Sequence, residues 1–331
     1  MAHASEQTVD GPPLRRKRTM REYLYLAVTG VAMGAADVVP GVSGGTMAFI
    51  MGVYEELLEA IRSFNLQLVQ LVLRGRIRAA FEHVPWRFLL PLGIGLLGAL
   101  FTLAGVISWL LTNQPVLLYA FFFGLVAASI VSVSVHVRWN LSMLVALLAG
   151  AVVAWLIIGL VPHQMPHTPL YLFGSGAVAI MAMILPGISG SFILLILGQY
   201  AYVLEQVKNF NLPALVPLVA GIVVGLLAFV RILSWLLRHY HQVTVTLLVG
   251  FMLGSLRKIW PFKETLETMV NRHGELVPIR EANVLPPWDA TLWMALGLAL
   301  AGFVLITLLD HLQTRANPMV LFFARLMRRK V

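Results

Sequence analysis

Long apolar runs near 90–111, 115–135, 141–161, 213–237, 242–256 and 290–309 alternate with short polar or basic stretches. A helix rises about 1.5 Å per residue, so about 20 apolar residues cross roughly 30 Å of hydrocarbon. Most of these runs are long enough to span; the one at 242–256 is short and is expected to extend past Leu256. Two other apolar stretches are interrupted. Residues 23–39 and 43–60 flank Pro40-Gly41, and a related break falls at Pro186-Gly187. Proline removes a backbone donor and disfavours helix at the preceding residue, while glycine accepts the angles of a sharp turn. Each stretch therefore predicts a broken hairpin whose arms enter and leave on one side. Irregular backbone at membrane depth survives only where protein or a wet cavity covers it. Both turns are expected in the interior.

The two breaks are copies of one pattern. Pro40, Gly41, Ser43, Gly44, Gly52 and Tyr54 correspond in order to Pro186, Gly187, Ser189, Gly190, Gly198 and Tyr200. Further on, Leu90-Pro91-Leu92 and Ile107-Ser108-Trp109-Leu110-Leu111 resemble Val216-Pro217-Leu218 and Leu233-Ser234-Trp235-Leu236-Leu237 at one constant offset. Gly95, Gly124 and Ser129 match Gly221, Gly250 and Ser255 at that same offset. Matches spread over a half-chain mark an internal repeat. The expected fold is an all-α polytopic membrane protein of two inverted-topology repeats, each a re-entrant broken hairpin followed by three transmembrane helices. The expected divisions are a basic tail at 1–22, a first repeat at 23–161 with its hairpin at 23–60, a second repeat at 162–313 with its hairpin at 170–205, and a basic tail at 314–331.

Charge placement supplies the orientation. If neither hairpin crosses, Arg15, Arg16, Lys17, Arg18, Arg21, the arginines of 62–87, Arg138, Arg238 and the basic C-terminal residues share one face. The other face keeps Lys208 and, in the loop 257–289, Arg257, Lys258, Lys263, Arg272 and Arg280, offset there by Glu264, Glu267, Glu275, Glu281 and Asp289. Basic residues hold the cytoplasmic side, so both termini are expected there. Residues 57–87 are expected to form an amphipathic cytoplasmic helix against anionic lipid. The loop 257–289 is expected to form a short helix over the site.

Composition narrows the function classes. The chain is 59% hydrophobic and 12% charged, which puts it in the membrane class. Its net charge of +9 then belongs to the cytoplasmic face, since no soluble basic domain exists to bind nucleic acid. The polar, basic N-terminus lacks the pattern of a removable signal peptide. Cysteine is absent, which excludes disulfides and thiolate chemistry. The histidine pairs His163/His167 and His239/His241 have no supporting carboxylate or thiolate cluster, so no metal is expected. No Walker loop, nucleophile elbow or dinucleotide fingerprint occurs, and no cofactor is expected.

The chemistry is expected at the breaks. A helix start carries unsatisfied backbone donors and about half a positive charge. Ser43, Gly44, Gly45 and Thr46 form one start after Pro40-Gly41; Ser189, Gly190 and Ser191 form the other after Pro186-Gly187. Two such starts meeting near the midplane would cradle an anion. The alternative is a pair of kinks with close small-residue packing. Arg231 is ionisable at depth, and its fork suits phosphate, or its long side chain snorkels to the surface. Asp37 either hydrogen-bonds the first turn or carries a coupling proton. Tyr54 and Tyr200 are read as interfacial anchors, and Glu59 and Glu205 as surface acids.

The motifs Gly34-Ala-Ala-Asp-Val-Val-Pro-Gly-Val-Ser-Gly-Gly-Thr46 and Leu185-Pro-Gly-Ile-Ser-Gly190 resemble those of the polyprenyl-phosphate (undecaprenyl phosphate) transporter family, long catalogued as a domain of unknown function. The resemblance covers about residues 20–312. It implies a translocase returning undecaprenyl phosphate across the bacterial cytoplasmic (inner) membrane for cell-envelope synthesis, with polyprenyl phosphate and membrane lipids as partners. Integral-membrane polyprenyl pyrophosphate phosphatases also use inverted hairpins, with an arginine in the Pro-Gly-x-Ser-Arg-Ser pattern; Gly44 and Gly190 stand at that place. Glu55 and Glu59 have the spacing of that family's acids but follow the motif instead of preceding it. A phosphatase and a transporter of a small anionic solute remain the alternatives.

Overall fold

The computed structural model describes residues 18–39, 41–160, 163, 165–270 and 276–314. Pro40 and most of both expected basic tails lie outside the described residues. The chain opens with α1 (Met20–Val38), α2 (Gly44–Ile50) and α3 (Tyr54–Arg62), then α4 (Leu66–Leu73) and α5 (Ile77–His83). Three long helices follow: α6 (Trp86–Asn113), α7 (Pro115–Ser134) and α8 (Leu141–Ile158). The order then recurs as α9 (Pro169–Ile184), α10 (Gly190–Ile196), α11 (Tyr200–Lys208), α12 (Leu212–His239) and α13 (His241–Ser255). Strands β1 (Lys263–Val270) and β2 (Leu276–Asn283) precede the last helix, α14 (Ala290–Thr314).

Local chemistry sets these limits. Thr19 and Glu22 form a capping box at the start of α1, the Thr19 backbone N–H donating to the Glu22 carboxylate at 2.7 Å. Gly41 and Gly187 take φ of +88° and +93°, and Gly52 and Gly198 take +66° and +67°. These left-handed angles are open to glycine at no steric cost, and they fall at matched places in the two hairpins. Helix α10 turns into α11 through 110°.

Helices α6, α7, α8, α12 and α14 are each long and apolar enough to cross a membrane, and the bent pair α10–α11 makes a possible sixth span. They pack in parallel pairs through glycine. A Cβ on Gly30 or Gly34 of α1 would strike the carbonyl oxygens of Leu92 and Leu96 in α6. Gly221 and Gly225 of α12 face Phe173 and Ala177 of α9, and Gly250 and Gly254 of α13 face Leu147 and Ala151 of α8. In α7 and α14, Gly124 meets Ala299, and Ser132 donates to Asp310 at 2.6 Å. Small residues let backbones close to contact where lipid gives no hydrophobic drive between helices. Because α1 and α6 run parallel from one level, the chain has turned back between them; α9 and α12 repeat the arrangement.

Three expectations are corrected. The chain is not purely helical: where a short helix was expected in 257–289, β1 and β2 form an antiparallel hairpin. The β-branched Thr265, Thr268, Val270, Val277 and Ile279 suit extended backbone. Helix α13 ends at Ser255 instead of passing Leu256, and the chain turns through 256–259. The stretch 57–87 is three short helices, not one. Asn65 breaks it by capping α4 through Leu68 N–H at 3.1 Å, and Gly75 breaks it again with φ of +68°.

Candidate functional site

The two turns meet. Ser43 Oγ donates to the Met183 carbonyl at 2.9 Å, and the Gly187 N–H donates to Thr46 Oγ1 at 2.8 Å. Tyr54 OH reaches across to the Ile184 carbonyl at 2.9 Å. A Cβ on Gly45 would press on the carbonyl oxygens of Met183 and Ile184, so glycine permits the approach. Around this crossing Val39, Val42, Met47, Ile184 and Ile188 are buried in one apolar cluster. Tyr54 is itself buried and bridges the hairpins, which corrects its reading as an interfacial anchor; its counterpart Tyr200 is exposed. Hydrophobic periodicity carries no sign of a hydroxyl reaching from one hairpin to the other.

The two helix starts are unlike. At α2 the Asp37 carboxylate accepts from the Gly44 N–H at 2.6 Å, and Ser43 Oγ accepts from the Gly45 N–H at 3.1 Å. The chain's own anion thus sits on that start. At α10 no side chain caps the start; Ser189 and Ser191 bond each other at 2.8 Å instead. Ser189 and Gly190 are buried while Ser191 is exposed, so this start opens to the surface. Met183, standing where Asp37 stands in the first hairpin, cannot supply a carboxylate.

Arg231 is not brought to the turns. The parallel pairing of α9 and α12 sets it at the depth of the second turn, but on the exposed face, where Nη1 donates to the Leu227 carbonyl at 3.0 Å. Its neighbour Val230 takes the buried face. Lys258 does lie against the turns. A Cβ on Gly41 would meet its Cγ, and its Nζ stands 5.1 Å from the centre of the Phe192 ring in α10. In sequence Lys258 is one more basic residue of the loop 257–289, and only the fold brings it to Gly41.

The acids of α3 form ion pairs. Glu59 pairs with Arg62 at 3.0 Å and with Arg238, Glu56 pairs with Arg18, and Glu55 meets His241 Nε2 at 2.9 Å. The Arg238 and His241 contacts tie the outgoing arm of the first hairpin to α12 and α13. His167 stacks on Tyr202 and bonds Gln199, a packing role. Among the described residues no three histidine, aspartate or glutamate side chains gather as a metal site.

Several helices of spanning length around two interrupted hairpins that meet in the interior define a multi-pass α-helical membrane protein. The undecaprenyl phosphate translocase-like (VCA0040-like) family matches residues 33–277. A polyprenyl-phosphate transporter of Vibrio cholerae serotype O1 is 48% identical over 292 residues, 86% of this chain and 95% of that protein. A polyprenyl-phosphate transporter of Staphylococcus aureus is 30% identical over 262 residues, 73% of this chain and 88% of that one. The chain belongs to this family. No solved structure matches it.

Proposed function

We propose that this protein is a translocase for undecaprenyl phosphate, moving the carrier lipid across the bacterial cytoplasmic membrane for reuse. The observation that carries the reading is the buried crossing of the two turns, with the α10 start left uncapped by any side chain. Taking a phosphate monoester, at about −1.5 to −2 charge, into hydrocarbon unpaired is prohibitive. The head group therefore needs donors at depth while the prenyl tail stays in lipid. Ser189, Gly190 and Ser191 offer hydroxyl and backbone donors on the open side. Ser43, Gly44, Gly45 and Thr46 frame the other side, with Asp37 exchanging its hold on Gly44 as the head group arrives.

The architecture is an inverted repeat in this reading. Bounds of α2, α3 and α6 recur in α10, α11 and α12 at constant offsets, and the matched glycines share left-handed angles. Pairs α1–α6 and α9–α12 lie within repeats; α7–α14 and α8–α13 join them. Rocking at the joining pairs would open the site alternately to each side. Both termini are cytoplasmic and the β-hairpin is external by the positive-inside bias.

Purified protein reconstituted in liposomes tests this. Polyprenyl phosphate should exchange between leaflets with no release of inorganic phosphate. Phosphate release from a pyrophosphate lipid would instead favour a phosphatase; the ion pairs on Glu55 and Glu59, and glycine at 44 and 190, weigh against it. Uptake of a soluble anion without lipid would favour a solute transporter.

A further inference from the structure

Beside the crossing, on the side of the β-hairpin, lies a cluster of charges with no counterpart in the first repeat. Lys258 Nζ and Lys263 Nζ stand 3.2 Å and 3.3 Å from the same oxygen, Glu281 Oε2. Their side chains are 22%, 9% and 24% exposed for Lys258, Lys263 and Glu281, so two cations share one carboxylate out of most solvent. Lys263 also lies 4.3 Å from the Tyr119 ring. The Lys258 stem rests on the first turn at Gly41 and its head on Phe192, two residues into the α10 start.

We infer that Lys258 and Lys263 form the outward-facing receptor for the phosphate monoester head group, with Glu281 as the resident anion that the phosphate displaces. The inference rests on the translocase reading above and assigns it the full positive charge that Arg231, on the exposed face of α12, does not bring to the turns. Two ammonium groups and one carboxylate leave one positive charge uncompensated, which favours an anion arriving there. Both ammonium groups already reach a single oxygen, so one small oxyanion spans them in the same way. A phosphate monoester carries more charge and more acceptor oxygens than the carboxylate it replaces. Displaced Glu281 then stands ready to take the lysines back, which lets the head group leave; a site that only bound tightly would not transport.

The test is equilibrium binding to the purified full-length protein, beside leaflet exchange in vesicles. A short-chain polyprenyl phosphate, the neutral polyprenol of equal length, and inorganic phosphate are the three probes. Lys258→Gln is expected to weaken polyprenyl phosphate binding about tenfold or more, to leave polyprenol binding unchanged, and to be rescued in large part by Lys258→Arg. Lys263→Gln should act in the same direction, and Glu281→Gln should tighten binding while slowing exchange. Inorganic phosphate should compete only at far higher concentration than the lipid. Unchanged lipid binding in both lysine variants overturns the inference, as does equal loss of phosphate and polyprenol binding, which would mark a structural role. Competition by inorganic phosphate at lipid-like concentrations overturns the lipid as occupant. Wild-type exchange that ignores both lysine variants sinks this inference alone; absence of wild-type exchange and binding removes the translocase reading with it.

Discussion

Among single residues, Lys263 carries the clearest consequence of its surroundings. Burial pushes its ammonium down to about 8, Glu281 opposes that shift, and Lys258 adds to it by repulsion. Glu281 is lowered: its burial acts the other way but is outweighed by the two lysines. The groups facing Lys263 are Glu281 from β2, Lys258 after α13 and Tyr119 from α7. Because the folded value lies below the unfolded one, folding disfavours the charged form. The resulting cost to stability is complete below about pH 8 and fades as pH rises toward the free-lysine value. Phosphate binding needs the charged form, so it moves oppositely. Affinity for polyprenyl phosphate should fall as pH is raised through about 8, read by titration at several pH values. Lys263→Arg, whose guanidinium stays protonated throughout, should flatten that fall; an equally steep profile in the variant would assign the titration to another group.

At the scale of elements, the glycines separate what sequence could and could not show. Gly93, Gly95 and Gly98 all lie in α6 and read alike in an apolar run. Only Gly95 faces a neighbour: a Cβ there would strike the Ala27 carbonyl of α1, whereas Gly93 and Gly98 have nothing within 4 Å. Gly95→Leu is therefore expected to wedge α1 from α6 and cost about 2 kcal/mol or more, seen as a lower unfolding midpoint in detergent. Gly98→Ala should leave the midpoint alone or raise it slightly through helix propensity. Equal effects at both positions would contradict the parallel α1–α6 contact. The long spans and the paired breaks were legible because a membrane forces apolar length and because Pro-Gly punctuates it. The meeting of the turns was legible as well, since duplicated breaks at depth have to be covered. The β-hairpin was not, because Lys263-Glu264-Thr265-Leu266 mixes charge with strand formers and Lys263 answers to Tyr119 of α7, distant in sequence. Arg231 illustrates the same limit: its place in the apolar run 213–237 sets its depth, but the face it occupies depends on how α12 docks on α9.

The whole molecule divides between contacts inside each proposed repeat and contacts joining the two. Helices α1 and α6 are closed by backbone-to-backbone approach at Gly30, Gly34 and Gly95, and α9 and α12 by Gly176, Gly221 and Gly225; the joining pairs close in the same way, at Gly124 and Gly302 between α7 and α14 and at Gly150, Gly250 and Gly254 between α8 and α13. In the alternating-access reading proposed above, movement is expected where the halves join, at α7–α14 and α8–α13 and at the crossing of the turns. Among the described residues the crossing is held by hydrogen bonds from Ser43, Gly187 and Tyr54. Each has a net worth of about 1 kcal/mol, a scale that permits exchange between two states. The absence of cysteine makes a direct trial possible. Ser132 of α7 and Asp310 of α14 lie 2.6 Å apart across the joining face, and Ser132→Cys with Asp310→Cys would present two thiols there. Joining them with a short cleavable cross-linker should stop leaflet exchange while leaving polyprenyl phosphate binding in place, and cleaving the linker should restore exchange. The single-cysteine variants, treated in the same way, should exchange throughout. Exchange that continues at the wild-type rate in fully cross-linked protein would mean that the halves do not rock at this face, and that the head group passes between them without their moving apart.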